Sequence, residues 1–215
     1  MDGFETILFI DLPVSQCYCL FVRGAVDTSE RILDTAQFLV QTQGFNGFSY
    51  ADIASQLKIR NAAIHYHFPT KANLGQALTV RYRQTFAKAL LGIDATVTET
   101  RKANQKLELY VNLFQVTLED GLRMCLCGML ASELVTLPEA VQLEVRLFFE
   151  EQQSWLATVL DDGRKAGVLR FSGRPNAKAG ELLASLEGAM LLARVEGSVT
   201  SFRNMAKGFI AALEV

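Results

Sequence analysis

Beyond residue 26 the chain contains three prolines, Pro69, Pro138 and Pro175, and each stands where one helical pattern stops and another begins. Proline is tolerated at such a place because a residue opening a helix has no intrahelical use for its N–H. Between these stops, strong helix formers dominate and β-branched runs are short, so from Thr28 onward the chain reads as all-α.

The stretch DTSERILDTAQFLVQTQG opens the first helix. Thr28 or Ser29 is expected to cap it, Gly44 to end it in a left-handed conformation, and Ile32, Leu33, Ala36, Leu39 and Val40 to form one apolar stripe. A second capped start follows at Ser49, with Ile53, Ala54 and Leu57 pointing inward. Lys58 and Ile59 leave room only for a turn, and RNAAIHYHF, residues 60–68, then begins a third short helix. A long helix is predicted from about Lys71 to Leu91, and others near 102–120, 126–135, 138–166, 176–197 and 200–213. GRKAGVLRFSGRP is the clearest later break, and no period of 20 to 50 residues recurs, which excludes a solenoid.

Short helix, tight turn and short helix, backed by a first apolar stripe, is the helix-turn-helix pattern, whose second short helix enters the major groove of DNA. At 100° per residue, Ile64 and Phe68 fall on the inner side of RNAAIHYHF. Ala62, Ala63, His65 and Tyr66 face outward, flanked by Asn61 and His67. The two alanines let the backbone approach base edges, Asn61 can pair bidentately with adenine, and Arg60 can reach guanine or a phosphate. His65, Tyr66 and His67 can donate to phosphates, and Lys71 adds charge at the start of the next helix, whose free amides favour an anion. From Lys58 to Lys71 there are three fixed positive charges, two imidazoles and no carboxylate. A solvated helix face is the competing reading, and it leaves the outward Tyr66, the alanine pair and the missing acids unexplained.

Charge is distributed accordingly. The net formal charge is −2 over 215 residues, yet residues 27–92 carry seven bases against four acids, while residues 93–215 carry thirteen against sixteen. The basic surplus is local to the region that would meet DNA.

The segment from TSERILD to LGQAL resembles the DNA-binding region of the TetR family of bacterial transcriptional repressors. The resemblance rests on the first-helix pattern, on GFNGFS, on Ile53-Ala54 and on IHYHFPTK, and spans about 50 residues without a gap. Lys58 stands where the family usually has Gly, and His65 where Tyr is common. The resemblance implies nine or ten helices: a three-helix helix-turn-helix domain over residues 27–73 and a helical domain over 74–215 that binds an effector and dimerises. DNA contacts are then expected from Thr28, Ser49, Tyr50, Arg60, Asn61, Ala62, Ala63, His65, Tyr66, His67 and Lys71. The dimer would be made by the last two helices, with Ala184, Gly188, Leu191, Phe202 and Phe209 at the interface. Gly180, Ala184, Gly188, Ala189 and Ala193 recur at helical spacing and would permit close approach across a two-fold axis. Such a dimer would read a palindromic operator.

For the effector, several later helices supply large apolar side chains. Tyr110, Phe114, Met124, Cys125, Met129, Phe148, Trp155, Met190 and Arg194 are expected around a pocket enclosed by the 102–120, 138–166 and 176–197 helices, with plain core packing as the alternative. RMCLCGMLASELVTLPEAV also resembles a subgroup of the family, some members of which respond to electrophiles or oxidants through a cysteine at the position of Cys125; Met124 replaces the usual Gly there, and Cys127 has no counterpart. Near a helix start, Cys125 would have a lowered pKa, and Arg123 or Arg194 could stabilise its thiolate. Cys17/Cys19 and Cys125/Cys127 are C-x-C pairs distant from both histidines, a spacing that fits neither structural zinc nor intra-pair disulfides and suits a reducing cytoplasm. No cofactor or metal is expected.

Both histidines lie in residues 60–68 and no nucleophile–base arrangement appears elsewhere, so no catalytic residue is assigned. A cysteine-dependent enzyme and a helical protein-binding adaptor are the competing classes. Residues 1–26 are read as an extension: apolar, but interrupted by Glu5, Asp11 and Pro13 and without a basic leader, they suit neither a signal peptide nor a membrane span.

Overall fold

A computed structural model describes residues 27–214. The expected N-terminal extension, with Cys17 and Cys19, lies outside the described residues. Nine α-helices make up the described part, in the order α1 (Thr28–Gln43), α2 (Tyr50–Leu57), α3 (Asn61–His67), α4 (Lys71–Thr96), α5 (Ala103–Glu119), α6 (Leu126–Ser132), α7 (Glu139–Lys165), α8 (Pro175–Glu196) and α9 (Val199–Ala211). Short 3₁₀ turns precede α5 and α7, and the only β pairing among the described residues is a single bridge between Leu169 and Glu214. Among the described residues no helix is long and apolar enough to cross a membrane.

The first four helices follow from local signals. Asp27, not Thr28 or Ser29, caps α1: its carboxylate accepts from the Ser29 N–H at 3.3 Å, so the cap falls one residue earlier than predicted. Gly44 ends α1 with φ 85°. Ser49 and Asp52 form a capping box on α2, and Thr70 and Asn73 form one on α4. Lys58 ends α2 in the left-handed conformation, φ 55° and ψ 43°, which turns the chain into α3.

Two boundaries differ from the sequence reading for physical reasons. α4 runs on to Thr96 because its buried row of Leu78, Tyr82, Phe86 and Leu90 continues through Ile93. The 126–135 helix ends at Ser132 and gives way to a 3₁₀ turn, Leu134–Thr136, which stops where Pro138 holds the residue before it, Leu137, extended at φ −77° and ψ 150°.

α1, α2 and α3 pack on one another and α1 also on α4, while α7 packs along α8 and α4, and α8 along α9. Gly75 sits where these units meet. A Cβ there would lie 2.7 Å from the Phe45 ring and 3.0 Å from Val141, so only glycine lets α4 pass this closely between the first domain and α7.

Candidate nucleic-acid interface and effector region

α3 has only seven residues, too short to persist alone, and is held by its inner side chains. Ile64 is fully buried and Phe68 nearly so, whereas Tyr66 is 83% exposed. Arg60, Asn61, Ala62 and His65 are exposed, and Ala63 and His67 half-buried. The outward face thus gathers Asn61, Ala62, His65 and Tyr66 on one rod. Tyr66 and His67 lie edge to face at 5.2 Å, and His65 Nδ1 is 3.2 Å from the Pro69 carbonyl. Ser49 is exposed at the start of α2, and Thr28 is half-buried at the start of α1.

Two expected DNA contacts are turned inward. Tyr50 is buried and its hydroxyl donates to the Phe68 carbonyl at 2.7 Å, with burial pushing its pKa up to about 12. It pins the end of α3, and its ring packs edge to face on His65 at 4.8 Å. The Lys71 ammonium donates to the Phe48 carbonyl and lies 4.7 and 4.3 Å from the Phe45 and Phe48 ring centres. Burial lowers its pKa, and its charge serves the turn between α1 and α2. In both cases the partner comes from another element, which helical spacing cannot reveal.

The nine residues expected around the effector are placed mostly in packed interior. Tyr110, Phe114, Met124, Cys125, Phe148 and Met190 are buried, and Met129, Trp155 and Arg194 half-buried. Trp155 stacks on Tyr110 at 5.4 Å and donates to Asp94 at 2.9 Å; Phe114 and Phe148 join Tyr82 and Phe86 in one aromatic cluster. A cavity of about 300 Å³ lies elsewhere, between α1, α4 and α5, walled by Gln41, Tyr82, Phe86, Leu113 and Val116, and none of the nine lines it. A groove of about 490 Å³ between α5 and α9 is likewise free of them.

The expectation of a lowered Cys125 pKa is overturned. Cys125 sits in front of α6 but is 1% exposed, and burial, with Glu187 beside it, pushes the thiol well above its ordinary value. Arg123 pairs with Asp120, and Arg194 donates to the Thr42 carbonyl, so neither guanidinium serves the thiol. Glu187 itself is pushed up to about 7 by burial, and its Oε1 has no hydrogen-bond partner among the described residues. Cys127 is buried as well. Among the described residues no group of His, Cys, Asp and Glu is placed to hold a metal ion.

The expected dimer residues divide. Leu191 is 56% exposed, and Ala184 and Gly188 lie on the same side of α8. Phe202 is fully buried inside the single chain, and Ala189 and Ala193 also face inward. Phe209 is half-buried. Leu192 and Val195, not named from sequence, extend the outward apolar stripe.

Sequence reasoning also missed the ties between the two halves. Glu133 accepts from the Phe45 and Asn46 N–H groups at 2.7 and 3.2 Å. The Gln41 side-chain amide donates to the Met124 carbonyl at 2.9 Å, and the Gln41 backbone carbonyl accepts from the Met124 N–H at 3.3 Å. Arg81 on α4 reaches Glu30 and Asp34 on α1 at 2.9 and 2.8 Å. A signal was present for Glu133, which lies in the SEL triplet of RMCLCGMLASELV, but its partner 88 residues earlier was not legible.

The family model described as "Bacterial regulatory proteins, tetR family" matches residues 32–78. A transcriptional regulator of the TetR family from Agrobacterium tumefaciens has a solved structure that is 34% identical, covers 87% of this chain and 97% of its own, and superposes with a TM-score of 0.82. The transcriptional repressor DhaR of Mycobacterium sp. (strain GP1) is 25% identical over 72% of this chain and 76% of its own length. The transcriptional repressor NemR of Escherichia coli (strain K12) is 24% identical over 83% and 89%. A reading helix presented on a three-helix unit, a helical second domain and this likeness along nearly the whole described chain lead to one conclusion: the protein belongs to the TetR family of bacterial regulatory proteins, DNA-binding transcriptional regulators with a helix-turn-helix.

Proposed function

We propose that two copies of this chain form a repressor that lays its paired α3 helices in successive major grooves of a palindromic operator and leaves it when a small molecule binds. The supporting observation is the exposed face of α3, where Asn61, Ala62, His65 and Tyr66 project from a rod anchored by Ile64 and Phe68. Asn61 would read a base, Ala62 and Ala63 allow close approach, and Arg60, His65, Tyr66, His67, Ser49 and Thr28 contact the phosphate backbone. Residues 27–73 form the reading unit and 74–215 the effector and dimerisation unit, with α4 running across the division as one rigid rod. The second copy docks on the α8 stripe of Ala184, Gly188, Leu191, Leu192 and Val195. The effector is held without a covalent bond, since the burial of Cys125 and its acidic neighbour disfavour a thiolate. The protein acts on DNA in the cytoplasm, with no membrane partner and no catalytic step.

A mobility-shift assay on a fragment spanning the protein's own promoter tests this. A shift that weakens steeply with salt, and that Asn61→Ala and Tyr66→Ala each weaken without changing the melting temperature, is expected. Absence of any salt-sensitive shift by the purified protein contradicts it.

A further inference from the structure

His65 stands on the outward face of α3, where tyrosine is common in the family, and its ring is held in one orientation. Nδ1 lies 3.2 Å from the Pro69 carbonyl, an oxygen that can only accept, so Nδ1 carries the hydrogen. The Tyr50 ring packs edge to face against it at 4.8 Å, and the Tyr50 hydroxyl in turn holds the Phe68 carbonyl. The two nitrogens of an imidazole point in nearly opposite directions, so Nε2 is turned away from Pro69. The residue is exposed, and Pro69 is the ring's one hydrogen-bond partner among the described residues.

This orientation limits what His65 can offer to DNA. A neutral ring with its hydrogen on Nδ1 presents a lone pair at Nε2, and phosphate oxygens are acceptors too, so the two repel. A tyrosine hydroxyl at the same place donates without any such restriction. One proton on Nε2 turns the histidine into a charged donor while Nδ1 keeps its bond to Pro69, so the contact requires no rearrangement of the ring. The groups around it do not supply the opposite charge. From α2 the ring meets the Tyr50 phenol, whose pKa burial pushes up to about 12, and Asp52 of that helix is engaged by Ser49. In front of α1, Asp27 is engaged by Ser29, and its charge acts on His67. On α4 the Lys71 ammonium is turned to the Phe48 carbonyl. An anion that favours the protonated ring therefore has to come from the operator.

We propose that His65 meets a backbone phosphate only as an imidazolium, so that each reading helix takes up one proton from solvent as it docks on DNA. The sign follows from linkage: the bound state holds a proton that the free state sheds as pH rises, so operator affinity falls with rising pH. The proposal rests on the repressor reading and deepens it, since it makes the proton a second ligand of the DNA-bound form.

Titration of the promoter fragment with the full-length protein at pH 6, 7 and 8 and constant ionic strength provides the test, with His65→Tyr and His65→Phe beside the wild type. His67 and Glu187 are present in all three proteins, so their contributions cancel in the comparison. Between pH 6 and 8 the wild type is expected to lose at least about tenfold more affinity than either variant, linkage allowing up to about tenfold per pH unit for each proton. His65→Tyr should bind more tightly than the wild type at pH 8, and His65→Phe more weakly than the wild type at pH 6. Thermal melting checks each variant, and His65→Gln replaces His65→Phe if the latter does not fold. Nitrogen-15 imidazole spectra of the DNA-free protein read the orientation directly: neutral His65 should carry its hydrogen on Nδ1, against the Nε2 form that free histidine prefers. The same pH dependence in the wild type and both variants, or the Nε2–H form in those spectra, overturns the proposal. Binding with unaltered pH dependence removes the proposal alone, whereas a wild type that binds the fragment at none of the three pH values removes the repressor reading and the proposal with it.

Discussion

Lys58 holds φ 55° in the turn that aims α3, a backbone region where a Cβ meets the neighbouring carbonyl. Its side chain is exposed, so nothing in the packing depends on it. Lys58→Gly should raise stability in chemical denaturation by up to about 1 kcal/mol, the strain relieved being partly offset by the freer unfolded chain. Glu187 makes a second residue-scale prediction. Its carboxyl titrates near 7 in the fold against an ordinary 4.5, so between those values the folded state holds a proton that the unfolded state has lost. Stability therefore falls as pH rises from about 4.5 through 7, by roughly 3 kcal/mol in all, and Glu187→Gln should flatten that slope in denaturation curves taken at pH 5, 6 and 7. At this scale the sequence was readable where a residue's fate depends on its own helix, as with outward Tyr66 and inward Ile64. It was not readable where the partner is remote: Tyr50 and Lys71 look like surface donors until the carbonyls of Phe68 and Phe48 are brought to them.

At the scale of the element, α3 illustrates how a seven-residue helix can be both stable and available. It has no side-chain cap, and its order comes from Ile64 and Phe68 seated against α1 and α2, with Tyr50 fastening its last turn. The anchoring side chains and the proposed DNA contacts therefore lie on opposite faces. Ile64→Ala should cost about 2–4 kcal/mol and lose DNA binding together with the fold of the first domain. Tyr66→Ala, at a position 83% exposed, should leave the melting temperature unchanged within about 1 °C while weakening DNA binding. Circular dichroism melting paired with a DNA titration separates the two, and a Tyr66 variant that melts early would contradict the division of faces. The fold was legible from the same logic, because each helix carries its own caps and stripe. The effector region was not, since large apolar side chains look alike in sequence whether they fill a core, as Tyr110, Phe114 and Phe148 do, or line a cavity, as Phe86 and Leu113 do.

In the whole molecule, the two halves are joined by a few polar ties around one apolar seam at Gly75. Glu133 is the most exposed to test: Glu133→Ala leaves the Phe45 and Asn46 N–H groups without their acceptor and should cost about 1–3 kcal/mol, with a change in DNA affinity that the more distant Glu119→Ala does not produce. The last requirement is the pairing of two reading units. One α3 offers few side chains to a groove, and the strength of a dimer comes from making the second contact intramolecular, so that halving the assembly reduces affinity by far more than half. On the proposed reading the outward stripe of α8 is the surface for the second copy, since Leu191, Leu192 and Val195 are 56%, 54% and 85% exposed in the single chain while the inward residues of α8 are already used. A carboxylate at two of these positions would put four charges into the proposed apolar interface, two from each copy, and lose apolar contact. Leu191→Glu combined with Val195→Glu should therefore give a folded monomer by sedimentation equilibrium, with an unchanged helical spectrum and DNA affinity reduced at least about 100-fold. A double variant that still sediments as a dimer would place the second copy on another face and leave the α8 stripe without that role.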